Sequence, residues 1–292
     1  MLLCWFRTLV KKQEDCGEKG LTSRIREKPG SVRQKVKETD MADYSRMRLG
    51  RRVIQHDSRT LVLARYMTPA LPAPPPTADW TGGCTNWGMM LNDRLGDCTI
   101  AGVGHAVQVW TASTGSMETV SDSVVESCYE KWDGYDPSDP DTDAGGIELE
   151  VLKNWRKQGF AGHRLLGFAD PKPTNLTEIR QSIAFFGGVY IGLALPLTAQ
   201  RQDQWDVATD GSGNGQAGSW GGHCVFVPRY DENGFTCITW GALKTMTAAF
   251  WQAYCDEAHT LLGFDWVTSK GSPDGFRLAQ LQADLKALQQ GS

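Results

Sequence analysis

The spacing of apolar and polar residues predicts helices in the first part of the chain and strands after them. The clearest pattern begins at Cys98, where a polar Asn-Asp-Arg-Leu-Gly-Asp segment gives way to small and β-branched residues and then to an apolar run. This pattern is typical of a loop that leads into a buried helix, which we place at residues 99–114. Weaker patterns predict helices over residues 122–132, 146–158 and 176–186, from Thr247 to about 262, and in a leucine-striped tail from 276 onwards.

Three runs of apolar, β-branched and aromatic residues predict strands. They cover residues 188–195, 223–227 and 235–239, and the last two flank an Asn-Gly turn that favours a β-hairpin. Helices therefore come first and strands gather late in the chain. That order is typical of an α+β protein.

The flanking segments differ in composition from the body, which we place at residues 79–268. Residues 1–40 are polar and lack a clear period, so we predict disorder or an upstream extension of the reading frame; partner binding is the alternative. Residues 41–78 form an N-terminal arm whose Pro-rich connector, residues 69–76, is expected to be extended on a surface. Residues 269–292 are predicted to form a C-terminal amphipathic helix that packs on the body or pairs with a second copy.

Charge and cysteine content narrow the classes of function. The formal net charge is −4, and residues 1–40 carry ten basic against six acidic residues, so the rest of the chain has a net charge of −8. An acidic body does not suit nucleic-acid binding. The eight cysteines include no C-x-x-C pair, which argues against zinc and favours a reduced compartment. Because no apolar run approaches roughly 20 residues, we expect no membrane span, and without a signal-peptide pattern a cytoplasmic location is favoured.

Cys98 is the first candidate for chemistry because it falls in the first turn of the predicted central helix. The positive end of the helix dipole favours the thiolate there, and the thiolate is the nucleophilic form of cysteine. A catalytic cysteine also needs a general base within hydrogen-bond reach. Without such a base, Cys98 would be an inert buried thiol.

His223 is the better of two candidate bases. His105 lies seven residues after Cys98 on the same helical face, about 10 Å along the axis, so we expect it to be a core histidine. His223 follows a Gly-Gly pair that lets the backbone pass close to another element, and it opens an apolar strand. The alternative is a strand-end histidine bonded to a neighbouring carbonyl. The other histidines have charged or irregular surroundings and are expected at the surface: His56, His163 and His259.

An acidic loop ahead of the helix at 146–158 partly matches a calcium-binding loop. Its carboxylates occupy the first, third, fifth and twelfth positions of such a loop: Asp139, Asp141, Asp143 and Glu150. The sixth position, however, is Ala144 where glycine is needed, and Pro140 stiffens the second. We therefore expect a solvated turn in which Asp143 favours the helix start, and we expect no metal ion or cofactor.

These features, taken in chain order, resemble a papain-like cysteine peptidase. The resemblance extends over residues 79–241, more than half of the chain. The Gly-Asp-Cys step ending at Cys98 is similar to the family's Gly-Ser-Cys step into its long central helix, and the Gly-Gly turn at 145–146 is similar to the turn before its second helix. The Gly-His step at His223 and the Thr-Trp-Gly after the hairpin resemble the family's catalytic histidine strand and its Asn-Ser-Trp-Gly.

The resemblance implies a helical half, carrying the nucleophile helix, packed against an antiparallel β half. It implies that Cys98 and His223 form a catalytic pair and that Asn92 stands where the family places its oxyanion-hole glutamine. It also implies a peptide or protein substrate, with hydrolysis of a peptide or isopeptide bond. The oligomeric state is left open.

The chain departs from the family pattern at two positions. Asn92 is one methylene shorter than glutamine, so its loop must lie closer to the site. Ile238 replaces the family's asparagine and cannot accept a hydrogen bond from the imidazole. Thr239 or a backbone carbonyl could orient His223 instead, and Trp240 could shield the pair from water. The change at Ile238 leaves two alternatives: an inactive binding or structural module on this fold, and an acyl transferase that uses the same cysteine.

Overall fold

The computed structural model describes residues 43–67, 71–208, 213–271 and 276–290. The segment at 1–40, predicted to be disordered or an extension, lies outside the described residues, as does the first part of the Pro-rich connector. Within the described ranges, no helix combines the length and the apolar character that a membrane span requires.

Helix α1, Cys98–Ala112, is the central helix of the molecule. It begins at Cys98, one residue before the predicted start, and nearly all of its residues are buried. A helix surrounded by protein has no polar face, which explains its apolar and small residues. Gly102 admits a close neighbour, because a Cβ there would lie 2.9 Å from the ring of Tyr190. The other helices in the described residues are α2 Asp122–Asp133, α3 Glu148–Gln158, α4 Leu176–Phe186, α5 Ala248–Tyr254, α6 Phe264–Lys270 and α7 Leu278–Gln290.

The strands in the described residues form one largely antiparallel sheet. They are β1 Ala78–Asp79, β2 Leu165–Ala169, β3 Val189–Leu195, β4 Gln204–Trp205, β5 Gly221–Asp231, β6 Gly234–Thr239, β7 Ala242–Met246 and β8 Cys255–Gly263. Their order across the sheet is β2-β8-β3-β5-β6-β7-β4, with β1 beside β5 and only β4 and β7 parallel. Helix α1 packs against β5, the strand that carries His223. The expected α+β architecture is confirmed.

The segment predicted as a helix from Thr247 to about residue 262 is only partly helical. Thr247 caps α5 as predicted, but α5 ends at Tyr254 and the chain continues as β8. This strand pairs with both β2 and β3, so it lies inside the sheet, where Glu257 and His259 are buried. The prediction failed because buried polar residues interrupt the apolar pattern by which an interior strand is recognised.

The C-terminal helix α7 packs on the body. Leu281 is fully buried in a cluster with Leu63 and Tyr66 of the arm and with Phe186. The hydroxyl of Tyr66 donates to Asp284 at 2.8 Å. The N–H of Arg277 also donates to the carbonyl of Tyr66 at 2.8 Å, so an apolar cluster and polar contacts at its edge hold the arm and the tail together.

Candidate active site

The loop that leads into α1 is stabilised by a side chain within it. The amide nitrogen of Asn92 donates to the carbonyl of Leu95 and to Oδ1 of Asp97, each at 3.2 Å. Asn92 therefore fixes the shape of the loop before Cys98, and its role as an oxyanion-hole donor stays a prediction. Both hydrogens of its amide nitrogen are directed to the loop itself in this state.

Asp143 ties the same loop to the second helix. Its Oδ1 accepts hydrogen bonds from the N–H of Gly96 at 2.8 Å and from the hydroxyl of Tyr129 on α2 at 2.7 Å. The oxygen of Tyr129 in turn accepts the N–H of Gly145 at 2.8 Å. Asp143 thus positions the loop before the candidate nucleophile, whereas helix α3 begins five residues later at Glu148.

The sulfur of Cys98 meets strand β5. Its Sγ accepts the backbone N–H of Cys224 at 3.4 Å, and both residues are buried. The hydroxyl of Tyr190 on β3 donates to the carbonyl of Thr99 at 2.8 Å and so fastens the first turn of α1 to the sheet. Cys224 directly follows His223 in the chain, but among the described residues no hydrogen bond joins the Cys98 sulfur to the His223 imidazole.

The imidazole of His223 is held by the end of β6. Its Nε2 lies 2.7 Å from Oγ1 of Thr239, and its ring stacks on Trp240 with the ring centroids 4.6 Å apart. Its Nδ1 is buried and has no hydrogen-bond partner among the described residues. Side chains alternate along a strand, so Thr239 faces the imidazole while the preceding Ile238 is buried in the core beside α1.

Trp240 connects the imidazole to the arm. Its Nε1 donates to the carbonyl of Arg48 at 3.3 Å, and its ring stacks on Tyr44 with the centroids 5.3 Å apart. Its φ of +47° lies in the left-handed region, which is unusual for a bulky residue. Such strained conformations cluster at functional sites, where surrounding contacts stabilise them.

Burial keeps both candidate catalytic groups neutral in this state. It raises the pKa of the Cys98 thiol to about 12 and lowers the pKa of the His223 imidazole to about 3. The helix dipole predicts a thiolate at Cys98, but removing the sulfur from water outweighs the dipole because a buried charge loses most of its solvation.

The arm covers the sulfur. Residues 50–52 run between the Gly-Gly turn and β5 and make three backbone hydrogen bonds of 2.7–3.0 Å, two with Gly146 and one with the carbonyl of Gly222. Burial raises the pKa of the Cys98 thiol, and the backbone N–H groups of Cys224 and Gly50 lower it, so Gly50 lies beside the sulfur. The groove beside the candidate nucleophile is therefore filled by a segment of the same chain.

The contact between the arm and the body requires glycine on both sides, at Gly50 in the arm and at Gly145 and Gly222 in the body. A Cβ on Gly50 would collide with the carbonyl of Gly96, and a Cβ on Gly145 or Gly222 would collide with the backbone of the arm. The glycine before His223 thus allows close approach of another backbone, as the sequence predicts. Gly145 in the Gly-Gly turn allows the same close approach of the arm backbone.

The side chain of Arg51 enters an acidic pocket that the sequence analysis missed. Its Nε lies 3.1 Å from Glu148 on α3 and 3.7 Å from Glu257 on β8, and its Nη2 lies 2.5 Å from Asp256. His259 lies behind these groups, 3.1 Å from Glu257. The only sequence signals are a basic residue in the arm and acidic residues in two segments that are more than a hundred positions apart.

Burial and charge act together on this acidic pocket. Burial and then the neighbouring Glu257 carboxylate raise the pKa of Glu148 to about 8, while Arg51 opposes that rise. Burial disfavours a charge on His259, but Asp170 at 2.5 Å and then Glu257 raise the pKa of His259 to about 10. His259 is therefore protonated at neutral pH.

The other histidines agree with the prediction in two cases and disagree in two. His105 is a buried core histidine bonded to a backbone carbonyl, and His56 is exposed. His163 and His259, expected at the surface, are both buried. His163 lies 2.9 Å from Asp265, so its polar surroundings reflect a buried partner and not exposure to solvent.

The fold is shared with papain-like cysteine proteases. Xylellain, a cysteine protease from Xylella fastidiosa, matches with a TM-score of 0.57 at 13% identity, over 74% of this chain and 96% of that one. Procathepsin L 3 from the larval midgut of Tenebrio molitor has a TM-score of 0.49 at 12% identity, over 75% of this chain and 76% of that one. No protein-family model matches the chain, and no curated protein matches it in sequence. At such identities the likeness establishes the fold, and function has to be argued from the residues.

Proposed function

We propose that the protein is a cysteine peptidase in which Cys98 is the nucleophile and His223 the general base. The observation that carries this proposal is the contact between the Cys98 sulfur and the backbone of β5, one residue from His223. The contacts of the imidazole with Thr239 and Trp240 support it, since a catalytic base needs an orienting partner and shelter from water. The reaction is hydrolysis of a peptide or isopeptide bond.

The mechanism is covalent acyl transfer in two steps. Once Nδ1 of His223 and the sulfur of Cys98 come within hydrogen-bond reach, His223 takes the thiol proton and the thiolate attacks the carbonyl carbon of the substrate. The C–N bond breaks, His223 returns the proton to the leaving amine, and an acyl-cysteine remains. Water, deprotonated by His223, then attacks the acyl group and releases the acid and the thiol.

The oxyanion formed at each step needs hydrogen-bond donors. The backbone N–H of Cys98, at the positive end of α1, is the first donor. Asn92 is the second once its amide turns away from the carbonyl of Leu95. Removing one such donor typically lowers the rate by about a hundredfold or more.

The arm supports a peptide as the substrate. Its residues 50–52 show that an extended backbone can hydrogen-bond to Gly146 and Gly222 while it passes the sulfur of Cys98. A substrate would form the same kind of contacts after the arm has moved away. The protein is therefore latent as long as the arm stays in the groove.

A binding module without turnover is the second candidate. The filled groove and the neutral Cys98 and His223 favour it, because neither group has its catalytic charge in this state. A transferase would use the same acyl-cysteine and differ only in having an amine as acceptor in place of water.

Peptide hydrolysis by an arm-opened chain tests the proposal. The change Gly50→Ala places a Cβ against the backbone of Gly96 and should lift the arm, whereas Gly82→Ala is a matched control because a Cβ there meets nothing within 4 Å. We expect the Gly50→Ala chain to cleave a mixed fluorogenic peptide library and the Gly82→Ala chain to remain latent. Adding Cys98→Ala or His223→Ala to the Gly50→Ala chain should lower kcat by about a thousandfold or more.

The same assay separates the alternatives. Hydrolysis that persists in the Gly50→Ala/Cys98→Ala chain would contradict the proposed nucleophile. A folded Gly50→Ala chain that binds peptides without cleaving them would favour the binding module. Faster product formation with an added amine, together with an aminated product, would favour the transferase.

A further inference from the structure

The acidic pocket next to the nucleophile surrounds the guanidinium of Arg51, with protonated His259 behind it. Arg51 is one residue from Gly50, which lies over the sulfur of Cys98, so the pocket receives the side chain next to the residue that covers the nucleophile. Its acidic groups are Glu148 on α3 and Asp256 and Glu257 on β8. Its present occupant, Arg51, comes from the arm.

Glu148 is the group in this pocket that lacks partners of its own. It is 1% exposed, and neither of its carboxylate oxygens has a hydrogen-bond partner of good geometry among the described residues. The Arg51 Nε at 3.1 Å is within ion-pair distance, and His259 is farther away at 3.9 Å. A buried carboxylate without protein donors is costly, so Glu148 either takes up a proton, in line with its raised pKa, or pairs with a cation at this position.

The shape of the pocket also suits a guanidinium group. Its floor includes Gly192 on β3, where a Cβ would lie 2.6 Å from the guanidinium carbon of Arg51. The pocket is not sealed, because Asp256, Glu257 and His259 also line an open cleft of about 620 Å³ along the arm. Arg51 itself reaches Glu148 from the arm, so a planar cation on a long stem can occupy this position.

We propose that this pocket is the specificity pocket of the peptidase and selects an arginine side chain in the substrate. The selected residue is next to the one whose carbonyl is attacked by Cys98. Arg51 occupies the pocket in the latent state, and a substrate arginine replaces it when the arm leaves. Glu148 and Glu257 are the specificity-determining residues, and Asp256 at the rim contributes less because its side chain is 41% exposed.

Arginine is preferred to lysine for a geometric reason. The guanidinium presents several N–H donors in a planar fork, so it can face Glu148, Glu257 and Asp256 together, as Arg51 does. A lysine ammonium is a compact point charge that is more strongly hydrated. It would satisfy fewer of these carboxylates at once.

The cleavage claim rests on the proposed function, but the binding claim does not. We therefore test binding in the full chain carrying Gly50→Ala, Arg51→Ala and Cys98→Ala, in which the arm is lifted, the pocket is empty and the nucleophile is absent. The probes are acetyl-Gly-Arg-Gly-amide and the same peptide with citrulline, which has nearly the shape of arginine without the charge. Binding is followed by calorimetry.

We expect the arginine peptide to bind at least about tenfold more tightly than the citrulline peptide, because its charge meets buried carboxylates. Adding Glu148→Gln should remove most of this preference. Adding Glu150→Gln, on the same helix but paired with Lys153 at 2.9 Å, should leave the preference unchanged. If the Arg51→Ala chain does not fold, Arg51→Lys is used, and the arginine peptide should displace that weaker occupant while the citrulline peptide should not.

Equal affinity for the two peptides would overturn the proposal. So would a chain that gains thermal stability from Zn²⁺ and not from the arginine peptide, since Glu148, Glu257 and His259 have ligand atoms within 4.8 Å of one another and could hold a metal ion. With Cys98 present, cleavage without an arginine preference would refute the pocket alone. Arginine binding without any cleavage would refute the peptidase alone.

Discussion

The arm covers two buried polar sites whose electrostatics differ. At the first site, burial keeps both side chains neutral: the pKa of Cys98 is raised to about 12 and that of His223 is lowered to about 3. At the second, His259 has a pKa of about 10 because carboxylates lie beside it. The comparison shows that burial alone makes a group neutral, whereas a buried ionic partner can keep it charged.

The two sites also depend on the arm in different ways. At the Cys98 site the arm contributes backbone beside the sulfur and one aromatic side chain, Tyr44, which stacks on Trp240. The acidic pocket needs the cation of Arg51, without which Glu148 would be a buried carboxylate with little compensation. Loss of the arm should therefore free the first site and destabilise the second.

The largest stability effect is expected from Arg51→Ala. This change leaves Glu148 and Glu257 facing an empty pocket, and removing one partner of a buried ion pair costs about 3–5 kcal/mol. We expect a loss of that size in the free energy of unfolding from urea titration. The control Arg52→Ala removes an exposed side chain and should change it by less than about 0.5 kcal/mol. Similar losses for the two variants would contradict the pocket's dependence on Arg51.

The pH dependence of stability should separate the two sites by its sign. The folded-state pKa of His223 is about 3 and its unfolded value about 6.5, so only the unfolded chain binds this proton as the pH falls from 6.5 towards 3. Because the folded chain keeps His223 neutral, the free energy of unfolding falls as the pH drops through this window. The loss reaches about 3 kcal/mol or more near its lower end. His223→Gln should flatten the decline.

For His259 the sign is reversed. Its folded-state pKa of about 10 lies above the unfolded value of about 6.5, so its contribution is fully present below pH 6.5 and is lost as the pH rises towards 10. His259→Gln should therefore lose most stability at pH 6.5 and least at pH 10. Urea unfolding of both variants over pH 4–10 measures these slopes, and parallel slopes would contradict the assignment.

A smaller effect is expected from Thr239→Val, which removes the hydrogen bond to Nε2 of His223. Loss of one partner from a buried hydrogen bond costs about 1–3 kcal/mol, equivalent to about a 10–100-fold lower kcat if the bond orients the base. Thr239→Ser keeps the hydroxyl and should restore most of the activity in the Gly50→Ala chain. Equal activity of the valine and serine variants would show that Thr239 does not orient His223.

The elements around Cys98 were predictable because local sequence determines them. The polar loop, the small residues of α1 and the Asn-Gly hairpin all act over a few positions. The partner of the imidazole was less predictable, because a shift of one residue along a strand exchanges the two faces. The sequence shows Ile238 in the family's asparagine position, whereas the fold brings Thr239 to His223.

The acidic pocket was beyond local sequence reasoning. Arg51, Glu148 and Glu257 come from three distant segments, and their charges suggest a solvated surface when each is considered alone. The pocket was also hidden by the failure to recognise β8, which was predicted to continue a helix. Only the pairing of β8 with β3 shows that Glu257 is buried beside α3.

The most direct measurement for the central claim is the rate at which iodoacetamide alkylates Cys98, relative to the partly exposed Cys84, in the Gly50→Ala and Gly82→Ala chains at pH 6. If the arm hides a cysteine activated by His223, Cys98 should react at least about tenfold faster than Cys84 in the Gly50→Ala chain, because an unperturbed thiol with a pKa of about 8.5 is hardly ionised at that pH. In the Gly82→Ala chain Cys98 should react more slowly than Cys84. A Gly50→Ala chain whose arm is demonstrably displaced, by limited proteolysis, but whose Cys98 reacts no faster than Cys84 would contradict the account.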